Sequence, residues 1–436
     1  MRKVPIVSLL VALLVALVTI KPAATTWTEA TSFRPGGVLV RFKEGASAAD
    51  VQAVLSRRGL SIEREIPHLG IKSLVVPPGQ ELAIAEGMRS DPSIEYAEPD
   101  YSASVAIIPS DPCWDNQWPL AKIGAPAAWE ITTGNKEVII AVLDTGVKLD
   151  HPDLAAKIWT NPGEVPANGL DDDQNGKVDD VHGWHFYHLC SGADCLPFED
   201  SDPRDDNGHG THVAGIAAAE TDNEVGMAGM SWGAQLMPVK VLDQYGEGWY
   251  SDVIAGIVYA TDNGADIINL SLGGEASSQS LQEAADYSHA EGVLLIAATG
   301  SSGAPVFYPA ACDHVLSVGA TDVDDRRPGF SNHGPEMDVA APGVAIYSTW
   351  PWLGGYWYQS GTSAAAPHVA GLAALIWSVR PDLANDQVAQ VISQTARDLG
   401  TPGWDEFYGW GRIDAYQALL SVASFKIYLP SFYSLF

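Results

Sequence analysis

Five continuous apolar runs of strand length, separated by helical segments, limit what this chain can fold into more than any other feature. They are VIIAVLD (Val138 to Asp144), QLMPVKVL (235–242), ADIINLSL (265–272), GVLLIAA (292–298) and HVLSVGA (314–320). A strand with one wet face alternates apolar and polar residues, whereas a strand covered on both faces has no polar side, which is the habit of parallel sheets. Between the runs, VAGIAAA, SDVIAGIVYATDNG, SLQEAADYSHAEG and PHVAGLAALIWSV carry helical spacing. The alternation predicts an α/β fold over residues 111–422: a three-layer, mostly parallel, doubly wound sheet flanked by helices. Ligands of such sheets sit at the carboxyl ends of the strands, so chemistry is expected just after these runs.

Upstream, residues 33–101 form a separate small α+β unit. VLVRF (Val38 to Phe42), IKSLVVP (Ile71 to Pro77) and SIEYAEPDY (Ser93 to Tyr101) read as strands, with helices over Ser47 to Arg58 and ELAIAEGMRS. A linker follows, from Tyr101 to Pro112. Ahead of the unit, Arg2 and Lys3 precede an apolar run from Val4 to Ile20 and the small residues Ala23 and Ala24. That is the pattern of an export signal over residues 1–24, slightly shorter than the roughly 20 apolar residues of a membrane span. No other stretch is expected to span a bilayer. The apolar tail at 424–436 suits either packing on the domain or attachment to a cell surface. A net charge of −30 repels phosphate backbones and anionic lipid, which excludes nucleic acid as a partner. Export permits disulfides: Cys190 and Cys195, close together in HLCSGADC, are expected to pair, while Cys113 and Cys312 are read equally as a second bridge or as two buried thiols.

Three motifs fall where the fold predicts chemistry. VLDTGV puts Asp144 at the end of the first run, DNGHGTHVAG sets His209 between Gly208 and Gly210, and GTSAAAPHVAG starts an alanine-rich helix at Ser363. Taken singly, the aspartate could cap a turn and the serine a helix. Together they supply a weak nucleophile, the base that activates it, and a carboxylate to fix the imidazole tautomer. His212, one helical turn beyond His209, is the rival histidine and is expected to be buried. The order Asp, His, Ser over about 111–422 resembles the subtilisin-like serine peptidases.

That resemblance implies a secreted endopeptidase with Asp144, His209 and Ser363 as its triad. It implies that Ser271, Leu272 and Gly273 in SLGG pair with an extended polypeptide substrate, opposite Gly248 in GEGWYSD. The helix start at Ser363 would donate backbone N–H groups to the oxyanion. The second oxyanion donor of the family is an asparagine after AAxG; here the segment is AATGSSG and the position is Ser301, which implies reduced activity. The competing reading is a weakened or inactive relative that binds peptides. Residues 33–101 resemble the inhibitory (I9-type) prosegments of the same family, with EYAEPDY along the cleft before self-processing. A monomer without organic cofactor is expected.

Two calcium sites are expected. In NGLDDDQNGKVDD, alternating acids and an amide before a glycine turn resemble an EF-hand loop, with Asp171, Asp173, Asn175, the Lys177 carbonyl and Asp179 or Asp180 as ligands; a merely solvated acidic loop is the alternative. By family resemblance, a second site joins Asp111 and Asp153 to Asn223 and to the carbonyls of Glu220, Val225 and Met227.

Overall fold

A computed structural model of the chain describes residues 33–423 except 44, 102–106, 192–193 and 353, with backbone only at 35, 189–191 and 194–195. The apolar run at 4–20, part of the linker and the tail at 424–436 lie outside the described residues. Two compact units divide between Ser104 and Val105.

The first unit runs β1 (Phe33–Phe42), α1 (Ala48–Arg58), β2 (Ser61–Ile66), β3 (Ile71–Val75), α2 (Glu81–Arg89) and β4 (Ile94–Tyr101). Its strands form an antiparallel sheet in the order β2-β3-β1-β4. Val38, Val40, Leu74, Ile94 and Ala97 from the strands meet Val54, Leu55 and Met88 from the helices in its core. Ser47 and Asp50 cap α1 reciprocally, each accepting the other's backbone N–H. The sequence reading had no β2. SIEREI buries almost none of its residues at the sheet edge, so it carries no apolar period to read.

The second unit carries two short helices, α3 (Trp118–Lys122) and α4 (Ala125–Trp129), then β5 (Ile139–Asp144), β6 (Trp184–Ser191), β7 (Asp194–Asp200), α5 (His209–Ala218), β8 (Gln235–Lys240), α6 (Tyr250–Asp262) and β9 (Ile267–Leu270). It continues with α7 (Gln279–Ala290), β10 (Leu294–Ala298), β11 (Val315–Thr321), β12 (Val339–Pro342), β13 (Ile346–Thr349), β14 (Tyr356–Gln359), α8 (Thr362–Val379), α9 (Asn385–Gln394) and α10 (Ala415–Val422). All five apolar runs are strands of one eight-stranded sheet, ordered β12-β11-β10-β9-β5-β8-β6-β7 and parallel except for the β6–β7 pair.

Along β5 the side chains alternate between two cores. Ile140 and Val142 pack with α5 and α8 on one face, Ala141 and Leu143 with α6 and α7 on the other. Each fully buried valine, leucine or isoleucine contributes about 1.5–3 kcal/mol, which is why the run admits no polar residue. Helix α8 is long and apolar enough to cross a bilayer, contrary to the sequence expectation, but most of it is buried inside the fold. From β5 the sheet grows in both directions, towards β8 on one side and β9 on the other, so the carboxyl end of β5 opens at the point where the winding reverses.

Candidate active site

Asp144, the last residue of β5, sits at that opening with no exposed surface. Its carboxylate lies 2.8 Å (Oδ1) and 3.0 Å (Oδ2) from His209 Nδ1. A buried carboxylate can only accept, so Nδ1 carries the proton and Nε2 is left as the basic nitrogen. His209 begins α5, and its neighbours are glycine for steric reasons. A Cβ on Gly210 would stand 2.1 Å from the Gly146 carbonyl and 3.0 Å from Asp144 Cβ, while Gly208, at φ +102°, has the Trp350 ring 2.6 Å from where its Cβ would be. Burial opposes the imidazolium form of His209, but the charge of Asp144, its hydrogen bond and the charge of Asp205 outweigh it, and the pKa is raised above 6.5. His212 is buried and hydrogen-bonded through Nε2 to the Ile346 carbonyl, and desolvation drives its pKa down to about 3. It is a packing histidine, as expected.

The loop ahead of His209 is held by residues that the motifs did not single out. Asp205 accepts from the Thr145 hydroxyl, the Asn207 and Gly208 N–H groups, and both the N–H and hydroxyl of Thr211. Thr145 Oγ1 in turn accepts from Gly210 N–H at 2.9 Å. The buried Lys240 ammonium, at the end of β8, donates to the carbonyls of Thr145 and Leu242 and to Asp206. These bonds lock the end of β5 to the start of α5. The only sequence signal was an Asp-Asp-Asn-Gly turn before the histidine.

Ser363 stands in the first turn of α8, whose start lies against the carboxyl ends of β9 and β10. Ser271, next after β9, donates its hydroxyl to the Ser363 carbonyl at 2.8 Å. Ser301, following β10, accepts the Thr362 N–H at 3.1 Å. A Cβ on Gly361 would lie 2.9 Å from Ser363 Oγ and 3.4 Å from Ser301 Oγ, so both hydroxyls border the same small space. Among the described residues no hydrogen bond joins Ser363 Oγ to His209. The structure thus pairs Asp144 with His209 directly, and gathers Ser271, Ser301 and Ser363 at one helix start.

His209, Ser271, Leu272, Gly273 and Gly248 line a cleft of about 1130 Å³. One wall was not foreseen. The stretch read as a cysteine loop is the β6–β7 hairpin, and it brings His185, Tyr187 and His188 to the cleft. His188 Nδ1 lies 2.9 Å from the buried Asp252 on α6, and His185 stacks on Tyr187. The aromatic run HFYH in a 64-residue stretch between Asp144 and His209 was the available signal.

A model of the subtilase family matches residues 135–411, well over half the chain. The chain belongs to the subtilase family. The fervidolysin N-terminal prodomain matches residues 20–100 of this subtilase. The Thermophilic serine proteinase of Bacillus sp. (strain AK1) is 38% identical over 395 residues, covering 90% of this chain and 89% of the relative. Thermitase of Thermoactinomyces vulgaris is 40% identical over 314 residues, covering 71% and 99%. Among solved structures, a protease of Pseudoalteromonas arctica PAMC 21717 superposes with a TM-score of 0.61 at 32% identity, over 72% of this chain and 99% of its own. The protein is a subtilisin-like, serine-type endopeptidase with an N-terminal prodomain.

The expected metal ligands of this subtilase fall into three settings. Asp111 and Asp153 are buried; Asp153 accepts from Asn223 Nδ2, Met227 N–H and the Tyr356 hydroxyl, and its backbone carbonyl accepts from Glu220 N–H. Desolvation raises the Asp153 pKa to about 6. Val225 N–H is bonded to Asn223 Oδ1. In the 168–180 loop, Asp171 and Asp179 are turned to backbone: Asp171 accepts from Asn175 and Gly176 N–H, Asp179 from Asn168 and Gly169 N–H, and Asn175 Oδ1 accepts from Lys177 N–H. Asp173, whose Oδ1 also accepts the Asn175 N–H, and Asp180 converge with Glu164, a residue outside the motif. The hairpin register sets Cys190 opposite Cys195, with their side chains outside the described residues, while Cys113 and Cys312 are free thiols rather than a bridge.

Proposed function

We propose that this subtilase cleaves internal peptide bonds of extended polypeptides through Ser363, His209 and Asp144, and that it is exported and frees itself from its prodomain. The observation carrying this reading is the buried Asp144 carboxylate on His209 Nδ1, which reserves Nε2 for the serine. Ser363 Oγ attacks the scissile carbonyl as its proton passes to Nε2. The carbonyl π electrons move to oxygen, where the first-turn N–H groups of α8 and the Ser301 hydroxyl meet the developing charge. His209 returns the proton to the leaving amine, and water hydrolyses the acyl-enzyme by the same relay. Asp144 stabilises the imidazolium throughout.

The base must be neutral to act, so its raised pKa has a definite consequence. The acid limb of kcat/KM is expected with its midpoint above pH 6.5, activity rising as pH climbs through the His209 pKa. A midpoint well below 6.5 would speak against His209 as that base.

Labelling tests the triad most directly. An organofluorophosphate should modify the processed protein once, at Ser363, and leave the Ser363→Ala variant untouched. Failure of the parent to react would favour the weakened, peptide-binding relative. The apolar run at 4–20 supports export, and the prodomain match supports an inhibitory propeptide.

The family resemblance also implies calcium between Asp111 and Asp153. The residues fit a hard cation: Asp111 Oδ1 is buried with no hydrogen-bond partner among the described residues, and burial disfavours charge on both carboxylates. A calcium ion there would tie the start of the peptidase unit to the 220–227 loop.

A further inference from the structure

Three side chains able to ligate a metal meet at the end of the sheet opposite the catalytic one. His289 lies in the last turn of α7, His314 immediately precedes β11, and Asp386 is in the first turn of α9. The strands β10 and β11 present their amino ends here, whereas Asp144 closes the carboxyl end of β5 in the same parallel sheet. One ligand atom from each of the three lies within 4.8 Å of the others. His289 Nε2 is 2.9 Å from Asp386 Oδ1, and the His289 and His314 rings stack with centroids 4.1 Å apart.

Amide side chains fix the backbone beneath all three. Asn385, buried beside Asp386, donates from Nδ2 to the carbonyls of His289 at 2.9 Å and Val293 at 3.1 Å, which ties the start of α9 to the end of α7. Gln282 on α7 accepts the Asp313 N–H at 2.9 Å and donates to the Asp313 carbonyl at 3.1 Å, so the residue before His314 is tied to the same helix. These bonds hold His314 at φ +66°, a left-handed conformation unfavourable for a residue with a Cβ. The ligand atoms thus stand on rigid supports, and a shared ion has little backbone left to order.

The surrounding charge favours a cation. From Gln279 to His314 the chain has no lysine or arginine and carries Glu283, Asp286, Glu291 and Asp313. Cys312, two residues from His314, faces the core instead, where desolvation and then the Asp286 and Asp313 charges push its thiol up to about 11. It offers no thiolate, so the donor set is two imidazoles and one carboxylate.

We propose that His289, His314 and Asp386 bind a zinc ion, with water in the fourth position. Two imidazole nitrogens exclude calcium and magnesium, which take shells of oxygen. Copper(II) and nickel(II) favour square-planar or tetragonal shells, whereas zinc accepts three protein donors and a water at tetrahedral angles. Bonds of about 2.1 Å at those angles set donors about 3.4 Å apart. That spacing falls between the 2.9 Å of the His289–Asp386 contact and the 4.8 Å that bounds the group. Zinc takes the place of the hydrogen bond between Nε2 and Oδ1, and His289 keeps its proton on Nδ1. One ion cannot lie in the planes of two stacked rings, so the exposed His314 turns about its terminal torsion, whose energy well is broad. The ion staples α7, β11 and α9 together and acts on stability rather than on turnover. The assignment is independent of the triad.

The test uses the untagged full chain carrying Ser363→Ala, which suppresses self-cleavage, in excess calcium so that oxygen-rich sites are filled. Zinc binding is followed by titration calorimetry and by the thermal unfolding midpoint. One zinc ion per chain is expected at this site, with a higher midpoint and slower hydrogen exchange at 289–293 and 312–316. His314→Asn, which tolerates the left-handed backbone, and Asp386→Asn are both exposed and should fold as the parent does without zinc. Each should weaken this ion's binding by more than the roughly tenfold that loss of an outer-shell partner costs, and remove the zinc-dependent rise in the midpoint. His188→Gln and His209→Gln should leave the equivalent in place, which separates it from zinc held in the substrate cleft. Folded His314→Asn and Asp386→Asn proteins that bind zinc as tightly as the parent would overturn the proposal, as would a parent that binds none or loses its only zinc in His188→Gln or His209→Gln.

Discussion

Asp144→Asn is expected to lower kcat by about 10⁴-fold with the fold intact. The two side chains have the same shape, and an asparagine Oδ1 can still accept the Thr145 N–H that Asp144 Oδ1 accepts at 2.7 Å. What changes is the direction of the bond to His209. An amide nitrogen facing Nδ1 donates to it and forces the proton onto Nε2. The imidazole then has no lone pair for the Ser363 hydroxyl and no carboxylate to balance its positive charge. Because the Asp144 charge is also what outweighs burial in raising the His209 pKa, the residual activity should have its acid limb at lower pH. Steady-state kinetics across pH, with thermal unfolding as the control for folding, measures both. A well-folded variant that keeps more than a tenth of the parental kcat would remove Asp144 from the mechanism.

The parts of this site that were legible in the sequence are those where local chemistry and global position coincide. Asp144 follows a run that must be buried on both faces, so a charged residue there has to lie at a strand end. His209 lies between two glycines and Ser363 two residues after Gly361, each in the first turn of a helix, and the glycines beside His209 are demanded by contacts as close as 2.1 Å. The supports were harder to see. Asp205 looks like any acid in a turn, and its five hydrogen bonds come from groups between Thr145 and Thr211 that only the fold gathers. The β6–β7 hairpin is an edge addition whose backbone was hidden under a cysteine pattern, and β2 is an exposed edge with nothing apolar to count. In the acidic loop, spacing pointed to Asp171, Asp173, Asn175, the Lys177 carbonyl and Asp179 or Asp180 alike, but spacing cannot tell which carboxylates face a shared centre, as Asp173 and Asp180 do. Glu164 completes that centre from outside the pattern, at a separation no loop motif encodes.

Ser301→Ala is expected to reduce kcat by about 10²-fold, at the lower end of what loss of one oxyanion donor costs. A hydroxyl has two lone pairs and one proton. In Ser301 a lone pair takes the Thr362 N–H at 3.1 Å, so the oxygen caps the start of α8, and the nearest acceptor for its proton, Thr362 Oγ1, is 3.3 Å away. That contact is long for two hydroxyls, and the proton can turn to a stronger acceptor as charge develops on the substrate oxygen. The two duties separate experimentally. Loss of the cap lowers stability by about 1 kcal/mol and acts on the unfolding midpoint. Loss of the donor acts on kcat, with KM little changed, because the oxyanion exists only beyond the ground state. Ser301→Asn restores a longer donor and should raise kcat above the parent. A Ser301→Ala variant that melts earlier yet turns over peptide at the parental rate would make the hydroxyl a helix cap alone, and would leave the α8 backbone as the oxyanion's support.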